Sequence, residues 1–370
     1  MVAAARSLPF EHMPCVAHII QRTITVSLRD SGFDGALAKC RKIVGHFKHS
    51  PANTAELKVQ QASHGQTEES LIQDVATRWN STLEMIKRIQ HNKEPLKATL
   101  VQQKHNLATL TSAEYDRLAN LETLLEPCRY VTELLGGDKY VSCSVVLPAL
   151  CHLLRTMEIS DVDPAYIVRF KAAFKGDLNT RKENTNLSWL KLATALDPRF
   201  KDLRCLPKAE REEVWQKLSQ MLKDRDTESQ PCSDEMEPEP PKKKVALLLL
   251  GSESESDEDA NFNDKTLDRY RAEPSVSIDT CPLQWGSAHT GAHGRLAQLA
   301  QKYLATPAST VPCERLFSLA GHVVQKKRSA LSSENVNKLV CLSNWLKEKQ
   351  TMNWLTEVMS HNTFAHSYCY

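Results

Sequence analysis

Residues 111–137 read TSAEYDRLANLETLLEPCRYVTELLGG, and this stretch decides the class of the fold. Thr111 and Glu114 form an S/T-x-x-E capping box, a pattern that begins a helix by satisfying its free backbone N–H groups. Apolar residues then recur every three or four positions up to the glycines at 136–137, where a helix is expected to end. The stretch predicts a long amphipathic helix that Pro127 should bend.

The same helical spacing recurs on both sides of this stretch. Segments that alternate polar and apolar residues, the pattern of strands, are almost absent. The sequence therefore predicts a mainly α fold. The other helical segments are expected at 16–28, 34–50, 71–86 (with a start as late as 77), 145–154, 166–174, 187–196, 210–222 and 296–303.

The composition is that of an ordinary folded protein. The chain has 370 residues, of which 41% are hydrophobic and 25% charged, so it can bury a sizeable core in two or three domains. Its 47 basic and 45 acidic residues leave a net charge of +2, which excludes a chain-wide basic field for nucleic acid. Any contact with DNA is therefore expected to be local, indirect or weak.

The cysteines and the apolar runs indicate the cellular compartment in which the protein is expected. The eleven cysteines include no C-x-x-C pair, which argues against a disulfide framework and against a self-contained zinc finger. We therefore predict reduced cysteines and no cofactor. The longest apolar run, 245–250, is far shorter than the roughly 20 residues of a membrane span, and the first fifteen residues contain no signal segment. The sequence predicts a soluble intracellular protein with neither a membrane nor a small-molecule substrate as partner.

Residues 226–290 contain the part of the chain that is poorest in apolar residues. From 226 to 263 the chain is rich in Pro, Ser and acidic residues, which bury too little apolar surface to offset chain entropy. We predict a disordered acidic linker over 226–290. Lys242, Lys243 and Lys244 within it follow two prolines and are a candidate nuclear-import signal, with a solvated basic run as the alternative.

Three short apolar helices are expected after the linker. Pro312 suits the first turn of the second helix, which places Glu314 near its start, and Ser332 or Ser333 caps the third. Their apolar faces need a partner surface, which is either the middle of the same chain or a second copy of it. The residues assigned to dimerisation are Leu316, Phe317, Ala320, Val324, Leu339, Leu342 and Trp345.

Four short motifs occur in a fixed order along the chain. They read CVAH at 15–18, DVATRWNST at 74–82, ATALDPRFK at 193–201 and TPASTVPCERLFSLAG at 306–321. Each motif is weak alone, but the four together, at these intervals, resemble the hAT transposase superfamily. The resemblance is to the C-terminal part of the BED zinc-finger proteins derived from that superfamily, and it extends over about residues 12–346.

The resemblance implies an architecture. It is a partial RNase H-like transposase core, most of whose sheet is missing, with a large helical insertion and a C-terminal helical dimerisation block. The expected boundaries are 1–90 for the core remnant, 91–225 for the helical insertion, 226–290 for the linker and 291–370 for the dimerisation region.

The resemblance also bears on catalysis. In this family two aspartates and one glutamate hold metal ions for strand transfer, since hard divalent cations prefer carboxylate oxygens. The glutamate matches Glu314. Both aspartates lie upstream of the motif that begins at Cys15, and the fourteen residues before Cys15 include no aspartate. We therefore predict no enzymatic activity and no metal site, with Glu314 as a vestige.

The other motif residues have both structural and functional interpretations. Cys15 and His18 are either half of a zinc site or, as we favour, a packed helical edge, because zinc needs three or four ligands. In active relatives Arg78 and Trp79 lie near the DNA-hairpin machinery, where a Trp ring can stack on a base. Here we favour a buried Trp79 beside an ion-paired Arg78. The D-P-R of the third motif should end a helix and pair its own charges.

These interpretations together predict a function. We expect a dimerisation and scaffold module of a domesticated hAT transposase, a homodimer in the nucleus that is associated with DNA through missing or partner segments. The alternatives are an enzyme, either a residual transposase or a SUMO ligase as in a BED zinc-finger relative, and a fragment without a function.

Overall fold

The computed structural model describes residues 13–29, 31–75, 78–102, 107–137, 141–228, 258–324 and 331–346. Within these residues the chain is mainly helical, as predicted, and the β-type pairing consists of isolated bridges, with no strand among the described residues. The chain divides into two compact units, Met1–Ser309 and Thr310–Tyr370. None of the described helices has the length and apolarity needed to cross a membrane.

The helices between residues 13 and 228 build most of the first unit's core. Helix α1 packs along α8, α4 packs against α6, and α9 packs against a short 3-10 turn, Cys143–Val145, that leads into α7. The helices are α1 Val16–Leu28, α2 Asp34–Lys48, α3 Pro51–Ser63, α4 Trp79–His91, α5 Lys93–Gln102, α6 Ser112–Leu135, α7 Val146–Thr156, α8 Ala165–Glu183, α9 Leu187–Leu196 and α10 Lys208–Glu228.

The helix boundaries agree with the predictions where a capping signal is present. Helix α6 begins with the predicted capping box, in which the Thr111 hydroxyl accepts from the Glu114 N–H and the Glu114 carboxylate accepts from the Thr111 N–H. It continues through Pro127 to Leu135. Helix α9 occupies the predicted residues 187–196.

Two boundaries differ from the predictions. Ser50-Pro51 ends α2 but also begins α3: the Ser50 hydroxyl accepts from the Asn53 N–H, and proline at the first position loses no hydrogen bond. The helix predicted from residue 71 or 77 begins only at Trp79, after the bridge from Val75 to Arg78.

Three helices follow the acidic stretch and complete the first unit: α11 Glu258–Ala272, α12 Pro282–Ala288 and α13 Thr290–Leu304. The disordered linker predicted over 226–290 is therefore wrong for 258–290. A few large apolar side chains there, including Leu267 and Tyr270, are buried against the rest of the unit, and this offsets the polar composition. Residues 229–257, with Lys242, Lys243 and Lys244, lie outside the described residues.

The second unit contains α14, Val311–Val323, and α15, residues 333–346. The boundaries predicted for the RNase H-like remnant at 1–90, the insertion at 91–225 and the dimerisation region at 291–370 remain predictions. Among the described residues of the first of these stretches the chain forms α1 to α4.

Candidate dimerisation interface

Helix α14 begins at the proline that predicted its start. Pro312 lies in the first turn, where the missing N–H breaks no intrahelical bond. The Thr310 hydroxyl donates to Oε1 of Glu314 at 3.0 Å, and the Glu314 N–H donates to the Thr310 carbonyl oxygen at 3.1 Å. Glu314 thus places a carboxylate in the first turn, where it complements the helix dipole.

The side chains of α14 are open to solvent, and none of its residues is buried. Phe317 exposes 75% of its surface, and Leu316 and Val324 are also exposed. Ala320 is half-buried. Residues 316, 320 and 324 are four apart and therefore share one side of the helix. Helix α14 and the residue after it present an apolar face to solvent.

Helix α15 presents a second apolar face. Its start is capped by Ser332, whose hydroxyl accepts from the Asn335 N–H at 3.3 Å, in agreement with the prediction. Leu339, Leu342 and Trp345 follow at intervals of three and are exposed, Trp345 to 62% of its surface. Val340, between them, is buried. The helix therefore buries one side and exposes the other.

The exposed apolar side chains are concentrated in α14 and α15. Those of this region make up seven of the fifteen exposed large hydrophobic residues in the described chain, although they come from its last thirty or so positions. Leu346 was not predicted, but it lies seven residues after Leu339, a spacing that identifies it. We call the set the apolar face: Leu316, Phe317, Val324, Leu339, Leu342, Trp345 and Leu346.

Helix α13 differs from the two helices that follow it. Its apolar residues Leu296, Leu299, Ala300 and Tyr303 are buried in the core of the first unit. The sequence left open whether these three helices pack on the same chain or on a second copy. For α13 the partner surface is the same chain.

The loop after α9 carries a buried ion pair. The Asp197 carboxylate accepts from Nε and Nη2 of Arg199 at 2.9 and 2.7 Å and from the Ser144 hydroxyl at 2.6 Å. The two charged side chains are 0% and 4% exposed. Arg199 also donates from Nη1 to the Ile278 carbonyl oxygen at 3.3 Å. The third motif thus ends a helix and pairs its charges. We call residues 197–207 the clamp loop, because they bind the segment that follows residue 258.

Lys201 is the second charged group of the clamp loop. Its ammonium donates to the carbonyl oxygens of Arg271 and Glu273 and lies 5.5 Å from the centre of the Tyr270 ring. Burial lowers the pKa of Lys201, because removing the ammonium from water disfavours its charge. The clamp loop therefore holds the end of α11 through backbone carbonyls, which a sequence pattern does not reveal.

Aromatic side chains complete this attachment. The Tyr270 ring lies 6.3 Å from Trp215 and 5.8 Å from Trp285, and its hydroxyl donates to the Ala195 carbonyl oxygen at 3.1 Å. Burial raises the pKa of Tyr270 well above its ordinary value. Trp285 stacks on His289 at 4.1 Å. Helices α11 to α13 are thus part of the first unit's core.

The motif residues near the start of the chain belong to the first unit, whereas the apolar face belongs to the second. Cys15 precedes α1 and His18 lies in its first turn. Trp79 is buried, and its backbone N–H donates to Oε1 of Gln21 at 2.9 Å. Arg78 is exposed, and its pairing with an acidic side chain remains a prediction.

The described residues lack the arrangement of ligands that a metal ion needs. Among the described residues no group of three or more His, Cys, Asp or Glu side chains is placed to hold a metal ion.

Two sequence families match this chain. Residues 266–346 match the hAT family C-terminal dimerisation region, and residues 13–124 match the ZBED1 RNase-like helical domain. The first match contains the apolar face, α12, α13 and part of α11. The chain therefore carries a hAT dimerisation domain and a ZBED1-like helical domain.

Two curated relatives are similar over nearly the whole chain. A Zea mays protein named an AC transposase is 26% identical over 381 residues, which are 91% of this chain and 44% of the relative. A second Zea mays protein, named an AC9 transposase, is 24% identical over 413 residues, 93% of this chain and 46% of the relative. The chain is homologous to these transposases and spans less than half the length of either.

Proposed function

We propose that this chain is the dimerisation module of a hAT transposase-derived protein and that two copies pair through the apolar face. The exposure of Phe317 and Trp345, within residues that match a dimerisation region, is the observation that carries the proposal. Aromatic residues contribute most to such interfaces when they are desolvated at the centre. Two exposed rings on neighbouring helices are well suited to that role.

The charges around the apolar face are compatible with self-association. Helix α14 has Glu314 and Arg315 in its first half, and α15 carries the exposed pair Glu334 and Lys338 at 2.7 Å. Both signs are therefore present on each helix, and two identical copies need not repel one another. A twofold pairing places the same patch on both partners, so one set of residues supplies both halves of the interface.

The test is the mass of the full chain by light scattering over a concentration series. We expect the unmodified chain to be a dimer and Phe317→Asp and Trp345→Asp to be monomers, because each places a charge where apolar surface must be buried. Tyr130→Asp is the matched control, since Tyr130 is 62% exposed, as is Trp345, but lies on α6.

Two outcomes would contradict the proposal. One is a monomer for the unmodified chain at every concentration. The other is a dimer that Phe317→Asp and Trp345→Asp weaken no more than Tyr130→Asp does, which would place the interface elsewhere.

We also propose that the protein is nuclear and is associated with DNA indirectly, through segments beyond this chain or through partners. The support is the homology to proteins named transposases and the run Lys242–Lys244. A fluorescent fusion of the full chain should accumulate in the nucleus, and alanines at these three lysines should reduce that accumulation. Equal distributions of the two fusions would exclude this run as the import signal.

A further proposal is that this chain lacks strand-transfer activity and that residues 13–124 belong to a helical part of an RNase H-like core. The lack of strand-transfer activity is supported by Glu314, whose carboxylate accepts from the Thr310 hydroxyl at the start of a helix. The assignment of residues 13–124 is supported by the name of the matching domain. With Mg²⁺ or Mn²⁺ and transposon-end DNA, we expect no joined product. Product that Glu314→Gln abolishes would reverse the assignment.

A further inference from the structure

Two cysteines outside the apolar face lie side by side. Cys151 lies on α7, Cys205 lies in the clamp loop, and their side chains interact where both line one cavity. Both are half-buried, and both line the same cavity of about 390 Å³, so a small reagent can reach them. They belong to elements that are distant in sequence, so only the fold brings them together.

Two cations near the pair favour a thiolate on Cys151, against the opposing charge of Glu210. Lys182 lines the same cavity, and its ammonium, together with the guanidinium of Arg155, acts on Cys151. The hydrogen bond from Cys205, supported by these cations, lowers the pKa of Cys151 to about 7, and the same interaction raises the pKa of Cys205. A thiolate is the nucleophilic form of cysteine, so Cys151 is partly activated at neutral pH.

Other cysteines of the first unit have the opposite environment. Cys40, Cys128 and Cys143 are buried. Burial raises the pKa of Cys40 to about 12 and that of Cys143 to about 11, and it also raises the pKa of Cys128. These thiols are structural and inert, so they serve as internal references for reactivity.

We propose that Cys151 and Cys205 are a redox-active pair that hydrogen peroxide converts to an intrachain disulfide, which ties α7 to the clamp loop. The Cys151 thiolate attacks one peroxide oxygen, the O–O bond breaks, and hydroxide leaves and is protonated to water, which gives a sulfenic acid. The Cys205 sulfur then attacks the Cys151 sulfur, the S–O bond breaks, and the second hydroxide leaves with the Cys205 proton as water. Two thiols and one peroxide thus give one disulfide and two waters.

The disulfide would have a structural consequence. The clamp loop binds the segment after residue 258 through Arg199 and Lys201. A covalent link from this loop to α7 restricts its motion and therefore the release of that segment. Oxidation should make the 266–309 segment more resistant to limited proteolysis, and a thiol reductant should reverse the effect.

The experiment treats the reduced full chain with limiting hydrogen peroxide and maps cysteines by mass spectrometry. Trypsin releases Cys205 in the peptide 205–208 and Cys151 in the peptide 140–155, which also holds Cys143. Fragmentation of the cross-linked pair therefore has to identify which cysteine is joined. We expect Cys151 to be joined to Cys205, and Cys143 to stay reduced.

Two variants separate a redox pair from coincidental proximity. Cys205→Ala removes the hydrogen bond to the thiolate, so alkylation of Cys151 by iodoacetamide near pH 7 should slow by about tenfold. Cys205→Ser keeps a donor but cannot form a disulfide, so it should preserve the alkylation rate and accumulate a sulfenic acid on Cys151 that a cyclic 1,3-diketone traps.

The proposal is overturned if peroxide leaves Cys151 reduced while exposed Cys313 reacts, or if Cys151 pairs with cysteines of other chains. It is also overturned if both Cys205 variants alkylate at the rate of the unmodified chain. Circular dichroism of each variant checks that the helices remain folded, so a loss of reactivity is assigned to the missing thiol.

Discussion

At the scale of single residues, the stability of the fold depends on the buried ion pair of Asp197 and Arg199. Breaking a buried pair by removing one partner leaves the other charge without compensation, which costs about 3 to 5 kcal/mol. Asp197 also accepts from the Ser144 hydroxyl, so its loss removes the hydrogen bond between the end of α9 and the 3-10 turn as well.

We predict that Asp197→Ala lowers the free energy of unfolding of the full chain by about 3 to 5 kcal/mol, followed by urea titration with circular dichroism. Asp202→Ala is the control, because Asp202 pairs at 3.0 Å with Arg204, whose side chain is 85% exposed. Exposed pairs contribute about 0 to 1 kcal/mol. Equal losses in the two variants would refute the importance of burial here.

At the scale of an element, the start of α6 links a local signal to a long-range contact. Glu114 completes the capping box and also binds Lys39 of α2 at 2.8 Å. The hydrogen bond from Lys39, followed by that from the Thr111 N–H, lowers the pKa of Glu114 below its ordinary 4.5. The carboxylate therefore stabilises the fold above pH 4.5, and this contribution is lost as the pH falls through the lower folded-state pKa.

We predict that Glu114→Gln reduces stability at neutral pH and that the difference from the unmodified chain narrows as the pH falls below 4.5. Thr111→Ala should cost about 1 kcal/mol through loss of the cap. Urea titrations across this pH range measure both effects. Asp116→Asn, an exposed change on the same helix, should leave the pH profile unchanged, and a profile for Glu114→Gln that parallels the unmodified chain would contradict the linkage.

At the scale of the whole molecule, the division after Ser309 determines where the chain can be cut. Helices α11 to α13 bury Tyr270, Leu296 and Leu299 in the first unit, so they belong to its core. A chain that ends at Asn263 loses these side chains and exposes the surface that they cover.

We predict that a chain ending at Ser309 unfolds cooperatively and is monomeric, whereas a chain ending at Asn263 aggregates or loses cooperativity. The reason is that exposed apolar core surface promotes association. Light scattering and thermal unfolding distinguish the two. A stable, monomeric chain ending at Asn263 would show that α11 to α13 are dispensable for the core.

Local signals are enough to predict the helical class and several helix starts, because capping and periodicity act between near neighbours in the sequence. The capping box at Thr111, the proline at 312 and the serine at 332 each act within one turn of helix. Six members of the apolar face were likewise visible from their spacing. Pro51 shows the limit of such signals, since a residue that ends one helix can begin the next.

Long-range packing, by contrast, decides which apolar helices stay exposed and which polar stretches fold. Helix α13 is less apolar than α14, yet it is buried, because α9 lies against it. Residues 258–290 read as linker and yet are helical, because Tyr270 and Trp285 find aromatic partners far away in sequence. The contact of Cys151 with Cys205 has the same origin. Burial depends on which distant residues pack against a segment, and a local sequence pattern does not reveal those residues.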